Sequence, residues 1–296
     1  MYKRNSILWL VVLLLLPACS DHADRPVKVM TWNIWHGGLH GTKAEGFAQD
    51  TANTVNVLKV IRQERPDIIF MQETYCCGME IAKQAGYPYS WRGSSNLSIH
   101  SLYPILDTLK IYREFNSHGA VIEVEGQKIL CINLWLHYLP DYFQNIKTLS
   151  PDSLIAGEAT TRLKEITAIL QNVDSLEKSL GLPVIIGGDF NSGSHLDWVE
   201  STREAHYGKV VQWPVSKLMA DRGYRDSFRE AHPDPQTSLE GTWGFLSDDI
   251  ISDRIDFIYC KGEQIKTRSS KIVLEDPEGG FFNSDHRAIL TRFQLD

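Results

Sequence analysis

Several features are scarce or missing in this chain, and each absence narrows the possibilities. Its 296 residues hold only five cysteines, and no two of them form a C-x-x-C pair. That spacing argues against a zinc knuckle or a dithiol redox motif. Basic residues are in deficit, 30 against 37 acidic ones. Affinity for polyphosphate backbones comes mostly from Lys and Arg, so non-specific nucleic-acid binding is disfavoured. A local basic groove or a bound metal can still offset such a global charge. No apolar run approaches the roughly twenty residues a membrane span requires. No internal repeat, low-complexity stretch or Pro/Gly/Ser-rich linker divides the chain, and a 43% hydrophobic share supports a substantial core.

What is present begins with an export pattern. Lys3 and Arg4 form a positive n-region, followed by the apolar run Ile7 to Leu16. Leu16-Pro17-Ala18-Cys19 then resembles the lipobox of bacterial lipoproteins, in which the cysteine is lipidated and becomes the first residue. A plain secretory signal cut nearby is the competitor, and a cysteine where the apolar stretch stops favours lipidation. We expect a lipoprotein signal peptide over 1–18, a tether over 19–25 and one domain over 26–296. The chain is then exported and lipid-anchored through Cys19 in the bacterial cell envelope, in the periplasm or at the outer membrane. Removal of residues 1–18 takes two of the 30 basic residues and none of the 37 acidic ones, leaving a net charge of −9. Cys131 and Cys260 lie in apolar runs and read as buried free thiols. Adjacent Cys76 and Cys77 are available to bridge elsewhere in an oxidising compartment, and the sequence leaves their pairing open.

Along the chain, strand-like and helix-like periods alternate. Val27 to Ile34 is β-rich, Thr51 to Arg65 has helical spacing closed by Pro66, and Ile68 to Met71 is a short buried strand leading to Gln72-Glu73. Strands apolar on both faces suit a covered sheet. Ala120 to Val124 and Lys128 to Leu136 read as a hairpin turning at Glu125-Gly126. Ser150-Pro151 opens one long helix that runs to Gly181, with serine as cap and proline at the first position. Further strands are expected at Pro183 to Gly187, Arg254 to Cys260, Ile265 to Leu274 and Arg287 to Phe293, with short helices and loops between Asn191 and Asp253. The pattern implies mixed sheets covered by helices.

The informative signal is a series of polar residues where apolar strands end: Asn33, Glu73, His137, Asp189 with Asn191, and Asp285 with His286. Such positions are rigidly held yet reachable by a ligand. In an extended segment Asp189 and Asn191 point the same way with Phe190 behind them. Gly187 and Gly188 are expected to let the backbone turn and approach a ligand closely. An Asx-turn leaving the strand explains the same residues, and both readings stay open. Ser284-Asp285-His286 offers a carboxylate and an imidazole that titrates near neutrality, or a surface turn. Asp256, inside Arg254 to Tyr259, is a carboxylate in an apolar strand and needs a partner. We expect His286 to be that partner; Arg254 or a backbone amide are alternatives, and Asp253 is the reserve carboxylate. Asn33 and Glu73 are oxygen donors suited to Mg²⁺, although a turn and a helix cap would also explain them. His36-Gly37-Gly38-Leu39-His40 imitates zinc-protease spacing but lacks the Glu and the helix that motif needs, so a loop touching substrate is expected there.

Taken in order, Thr31-Trp32-Asn33, Gln72-Glu73, Leu136-His137, Gly187-Gly188-Asp189-Phe190-Asn191, Arg254-Ile255-Asp256 and Ser284-Asp285-His286 resemble the endonuclease/exonuclease/phosphatase superfamily. The resemblance implies an α/β (α+β) four-layer sandwich of two mixed β-sheets flanked by helices, with the site at one rim. It also implies a division of labour. Glu73 would ligate Mg²⁺ (or Mn²⁺ in its place), with Asn33 and Asp285 beside the metal. Asp189 would orient and deprotonate the attacking water, and Asn191 would hold the phosphate or that water. His286, paired with Asp256, and His137 would stabilise charge on the phosphoryl oxygens.

The expected activity is therefore metal-dependent phosphoester hydrolysis, as a phosphodiesterase or phosphomonoesterase, on a small or headgroup-type substrate. The linking region from Ser192 to Phe245 should wall the pocket. Within it Trp243 is the first candidate for substrate contact, while His195, Trp198, His206 and Trp213 could stack on a sugar or base or pack the core, and for tryptophan the core is the commoner place. His36 and Tyr138 are further substrate-contact candidates, as are Arg92 and His118. Phe281-Phe282 suits lipid contact or packing. An extracellular nuclease is the alternative that acidity disfavours. A non-catalytic lipoprotein binding a phosphorylated ligand is the rival from another class, and none of the metal or base positions is degenerate. A monomer is expected.

Overall fold

The computed structural model describes residues 25–38, 51–244, 252–274 and 284–296, with backbone alone at 51–53. The segment with Cys19, Leu39 and His40, Phe245, and Phe281 with Phe282 lie outside the described residues. Among the described residues no helix is long and apolar enough to cross a membrane.

Two six-stranded sheets pack face to face. The first holds β1 (Val27–Asn33), β2 (Ile68–Gln72), β3 (Tyr89–Arg92), β4 (Leu97–Ser101), β11 (Ile265–Ile272) and β12 (Ile289–Leu295), in the order β11-β12-β1-β2-β4-β3. The second holds β5 (Ile105–Lys110), β6 (Ser117–Val124), β7 (Gln127–Trp135), β8 (Val184–Asp189), β9 (Arg225–Asp226) and β10 (Asp256–Lys261), in the order β5-β6-β7-β8-β10-β9. β1 with β2 and β7 with β8 run parallel and every other pairing is antiparallel, so both sheets are mixed.

Side-chain alternation builds the layers. Val27 and Val29 point between the sheets with Phe70, Cys131, Ile185 and Ile258. Met30 and Trp32 point outward against α2 (Thr51–Glu64) and α3 (Gly78–Ala85), through Val57, Ile61 and Ile81. On the far side Leu130, Ile132, Ile186 and Phe257 meet Ile166, Ile169 and Val173 of α5 (Arg162–Leu180) and Val215 of α6 (Pro214–Asp221). A short α7 (Ser227–Ala231) caps β9, its N-cap Asp226 accepting from Phe228 N and Arg229 N. Helices, sheet, sheet, helices: the architecture is the four-layer α/β sandwich that the motif order implies.

The expected single helix from Pro151 to Leu180 is two. α4 (Pro151–Thr160) and α5 meet at Thr161, whose φ of −131° and ψ of −75° are not helical. The break has a physical reason. Thr161 Oγ1 donates to Leu139 O at 2.5 Å, and the buried Arg162 guanidinium donates to the carbonyls of His137, Tyr138 and Pro140. The two helices part where their junction ties down the loop that follows β7. Ser150 caps α4 as expected, accepting from Ser153 N.

Gly187 and Gly188 do not serve a ligand, contrary to expectation; both lie inside β8. A Cβ on Gly187 would stand 2.3 Å from the Phe70 ring of the facing sheet, and one on Gly188 would stand 2.1 Å from Leu134 O. They are small because the neighbouring sheet and strand come close. Cys76 and Cys77 are bonded to each other rather than to partners elsewhere, while Cys131 and Cys260 are buried free thiols.

Candidate active site

Strand register brings the polar tips together. Asn33 ends β1 opposite Gln72, the last residue of β2, so Glu73 emerges beside it. Glu73 has a positive φ of 54°, which turns the chain sharply as it leaves the sheet. Asp189 ends β8 and is the register partner of Asp256, the first residue of β10. His286 is reached from the other sheet, its carbonyl accepting from Trp32 Nε1 at 3.0 Å. Ser284 Oγ donates to Asn33 O and accepts from His286 N, which locks Ser284-Asp285-His286 onto the end of β1.

His286 Nδ1 donates to Asp256 Oδ2 at 2.8 Å, and His286 Nε2 stands 3.8 Å from Asp189 Oδ2. Asp253, the reserve carboxylate, accepts instead from Trp198 Nε1. Burial alone would push the His286 imidazole down, but Asp256, then Asp189 and Asp285, outweigh it and hold it well above its ordinary value. The ring is an imidazolium at neutral pH. Burial pushes the Asp189 carboxyl up to about 8 against the pull of His286. A carboxylate that takes up a proton near neutrality has the property a general base requires.

Asp189 Oδ1 accepts from Asn191 N at 2.9 Å, an Asx-turn, and Asn191 has a φ of 49°. The turn returns Asn191 Nδ2 to Asp189 Oδ2 at 3.2 Å while Phe190 packs against Phe257 and Tyr259. Convergence and Asx-turn are thus one arrangement. Asn33 Oδ1 accepts from Trp35 N, leaving its amide to donate to Glu73 Oε1 at 3.2 Å and Asp189 Oδ2 at 3.1 Å. Asn33 therefore bridges the two carboxylates.

These groups face a cleft of ≈170 Å³ lined by Glu73, Asp189, Asn191, Ile255, Asp285 and His286. Trp135, Tyr138, Asp141, Phe143 and Trp243 complete it. Trp243 Nε1 donates to Asp285 Oδ2 at 3.3 Å. Asp285 Oδ1 is buried and has no hydrogen-bond partner. Burial, with Glu73 reinforcing it against His286, raises the Asp285 carboxyl. A buried carboxylate oxygen without a partner, close enough to Glu73 to feel its charge, fits a hard divalent cation, which takes oxygen ligands. Asp189, Asp256 and His286 also bring ligand atoms within 4.8 Å of one another. We read that trio as a proton-handling cluster, because Asp256 and Asp189 favour a protonated His286 ring, whose nitrogens then have no lone pair to give a metal.

The remaining sequence candidates separate. Trp243 and Tyr138 line the cleft. His36 N donates to Glu73 Oε2 from a left-handed turn, α1 (Trp35–Gly38), outside the cleft lining. His137 does not line the cleft either: its Nδ1 accepts from Leu139 N and its ring stacks on Tyr138. Trp198 and Trp213 are core, and His118 is buried against Trp91. Arg92 donates to Ser94 O at the surface. Sequence reasoning missed Trp135, Asp141 and Phe143; their one signal was the density of aromatics after β7.

Comparison with known proteins agrees with this frame. The Endonuclease/Exonuclease/phosphatase family profile matches residues 30–286. An uncharacterized protein of Caenorhabditis elegans is 28% identical over 286 residues, covering 86% of this chain and 86% of its own length. The human Nocturnin catalytic domain with bound sulfate superposes with a TM-score of 0.58 at 17% identity, covering 92% of this chain and 95% of that one. An AP endonuclease from Archaeoglobus fulgidus gives 0.60 at 17% identity, over 91% and 100%. At such identities the two structures show a shared fold alone. The family match, running from β1 through the His286 rim, does more: the chain belongs to the Endonuclease/Exonuclease/phosphatase family, whose members are typically hydrolases acting on phosphoesters or nucleic acids.

Proposed function

We propose that the protein hydrolyses a small or headgroup-type phosphoester with the help of Mg²⁺, or Mn²⁺ in its place. The observation that carries this reading is the meeting of the His286–Asp256 pair, Asp189 and the Glu73–Asp285 carboxylates in one cleft. Glu73 and Asp285 would hold the ion, with Asn33 fixing Glu73 between it and Asp189. When bound, Mg²⁺ would supply Lewis-acid stabilisation of charge on the phosphoryl oxygens. Asp189 would orient the attacking water and take its proton, Asn191 would hold that water or a phosphoryl oxygen, and the His286 imidazolium would donate to a phosphoryl oxygen. Phosphoryl transfer depends mainly on such positioning and electrostatics. His137 would contribute only if substrate extended past the cleft toward Tyr138.

The AP endonuclease likeness raises nucleic acid as a substrate, but no Lys or Arg lines the cleft among the described residues. A duplex needs several such contacts. We further propose export and lipid anchoring at Cys19, supported by Lys3, Arg4 and the apolar run before the lipobox. Hydrolysis of bis-(p-nitrophenyl) phosphate with Mg²⁺, abolished by EDTA and by His286→Ala, tests the activity; a metal-independent rate that survives His286→Ala overturns it.

A further inference from the structure

The turn that follows β2 carries a feature the hydrolytic reading leaves without a task. Cys76 and Cys77 are joined to each other, and adjacent cysteines so joined close a small ring around the one peptide bond between them. That ring fixes the backbone where the chain passes from Glu73 to α3. The turn needs fixing. Glu73 has a φ of 54° and Tyr75 a φ of 33°, a left-handed conformation that non-glycine residues keep only where their surroundings impose it. Within the turn Cys77 N and Gly78 N both donate to Thr74 O.

The disulfide also lies against the second segment that positions Glu73. Gly37 N donates to Glu73 O at 2.6 Å, and His36 N donates to Glu73 Oε2 at 3.2 Å. A Cβ on Gly37 would stand 2.9 Å from Thr74 O and 3.4 Å from both Cys76 Sγ and Cys77 Cβ. The α1 turn is therefore seated on the disulfide. Both segments that direct the Glu73 carboxylate to the cleft depend on the same bond.

Access and selectivity suit thiol–disulfide exchange. Cys76 is exposed and Cys77 partly buried, and exchange needs an external thiolate to reach a sulfur. The other cysteines among the described residues stay out of it. Cys131 and Cys260 are buried, and burial pushes both thiols up, that of Cys260 to about 12.

We propose that the Cys76–Cys77 disulfide is a redox site that holds Glu73 in its metal-binding position, and that its reduction by a dithiol lowers the affinity of the cleft for the divalent cation. A thiolate of the dithiol attacks one of the two sulfurs, the Cys76–Cys77 bond breaks and a mixed disulfide forms. The reductant's second thiol then displaces the remaining cysteine sulfur. The reductant leaves as a disulfide, and two electrons and two protons pass to Cys76 and Cys77. Freed of the ring, the turn relaxes from its left-handed residues and the α1 turn loses its seat. The inference rests on the metal-dependent reading above and adds a control to it.

The test is calorimetric titration of Mg²⁺ into the full chain, as purified in air and after dithiothreitol, with alkylation and mass spectrometry to count the thiols released. Reduction should weaken Mg²⁺ binding at least about 10-fold, in keeping with loss of a group that orients a metal ligand. The double variant Cys76→Ser with Cys77→Ser should bind as weakly as the reduced wild type and ignore dithiothreitol, with circular dichroism alike in all three. Equal affinity in oxidised and reduced wild type overturns the proposal, as does a double variant that binds as tightly as the oxidised chain. So does a chain purified in air whose Cys76 and Cys77 alkylate without reductant. If neither redox form binds Mg²⁺, the metal reading fails, and hydrogen exchange decides the redox site by itself. Faster exchange at Gly37 N, Cys77 N and Gly78 N on reduction sustains it, and unchanged exchange there removes it.

Discussion

Asp189 and Asp256 face each other across the β8–β10 ladder as register partners, so two buried carboxylates stand side by side with His286 bonded to one and 3.8 Å from the other. Like charges so close resist full ionisation, and the imidazolium between them is what makes the arrangement tenable. The pair therefore sets the protonation of the whole site.

Asp256→Asn removes the charge that most strongly keeps the His286 proton. The wild-type ring is held above its ordinary value, so it stays cationic as pH rises through neutrality. Without Asp256 the proton leaves at lower pH. Activity at neutral pH should fall about 10²- to 10⁴-fold, in keeping with loss of a positioned acid–base group. The alkaline limb of the pH–rate profile should also move to lower pH. A limb that stays in place would contradict the assignment.

Stability should depend on pH through Glu158. Burial, outweighing Ser192, Arg162 and Val215 N, pushes its carboxyl up to about 7. A carboxyl held above its unfolded value binds its proton more tightly in the folded chain, so stability falls as pH rises from the ordinary carboxylate range through about 7. The thermal midpoint of the metal-free protein should rise as pH is lowered from 8 to about 6. Glu158→Gln should flatten that slope, leaving the parts contributed by Asp253, which burial also pushes up to about 7, and by Asp189 and His286, both held above their ordinary values. Differential scanning calorimetry across that range gives the answer.

Gly187→Ala should destabilise the protein by about 1–3 kcal/mol, the usual cost of overpacking. The added Cβ would stand 2.3 Å from the Phe70 ring, which is fully buried between the sheets. Urea denaturation measures it. A neutral effect would mean that the sheets part easily at this point.

Sequence pattern disclosed the elements that bury strongly periodic or doubly apolar runs: β1, β2, β8 and the β6–β7 hairpin. It missed β4, a buried strand whose Ser98, His100 and Ser101 break the apolar pattern, and it missed β3 and β5, where Tyr89–Arg92 and Ile105–Lys110 are edge strands with mostly exposed side chains. An edge strand has one neighbour and little need for alternation. It also missed the break at Thr161, which is set by the distant loop around Leu139 rather than by local propensity. The glycines of β8 were read for backbone freedom when their cause lay in Phe70 and Leu134. In the site, polar residues at strand tips were legible because an apolar strand makes its terminal Asn, Glu or Asp conspicuous. Trp135, Asp141 and Phe143 were not, since a loop has no period from which to read direction. His137 looked like its fellow tip residues, yet Leu139 N turned it out of the cleft lining.

The central claim is that Glu73 and Asp285 share one divalent cation beside Asp189 and the His286–Asp256 pair. Isothermal titration of Mg²⁺ into the folded protein tests it most directly. We predict one site per chain, weakened at least about 10-fold by Glu73→Gln, as expected when a carboxylate ligand is lost, and likewise by Asp285→Asn, with circular dichroism unchanged. Mg²⁺ binding that is unaltered in both variants would contradict the account.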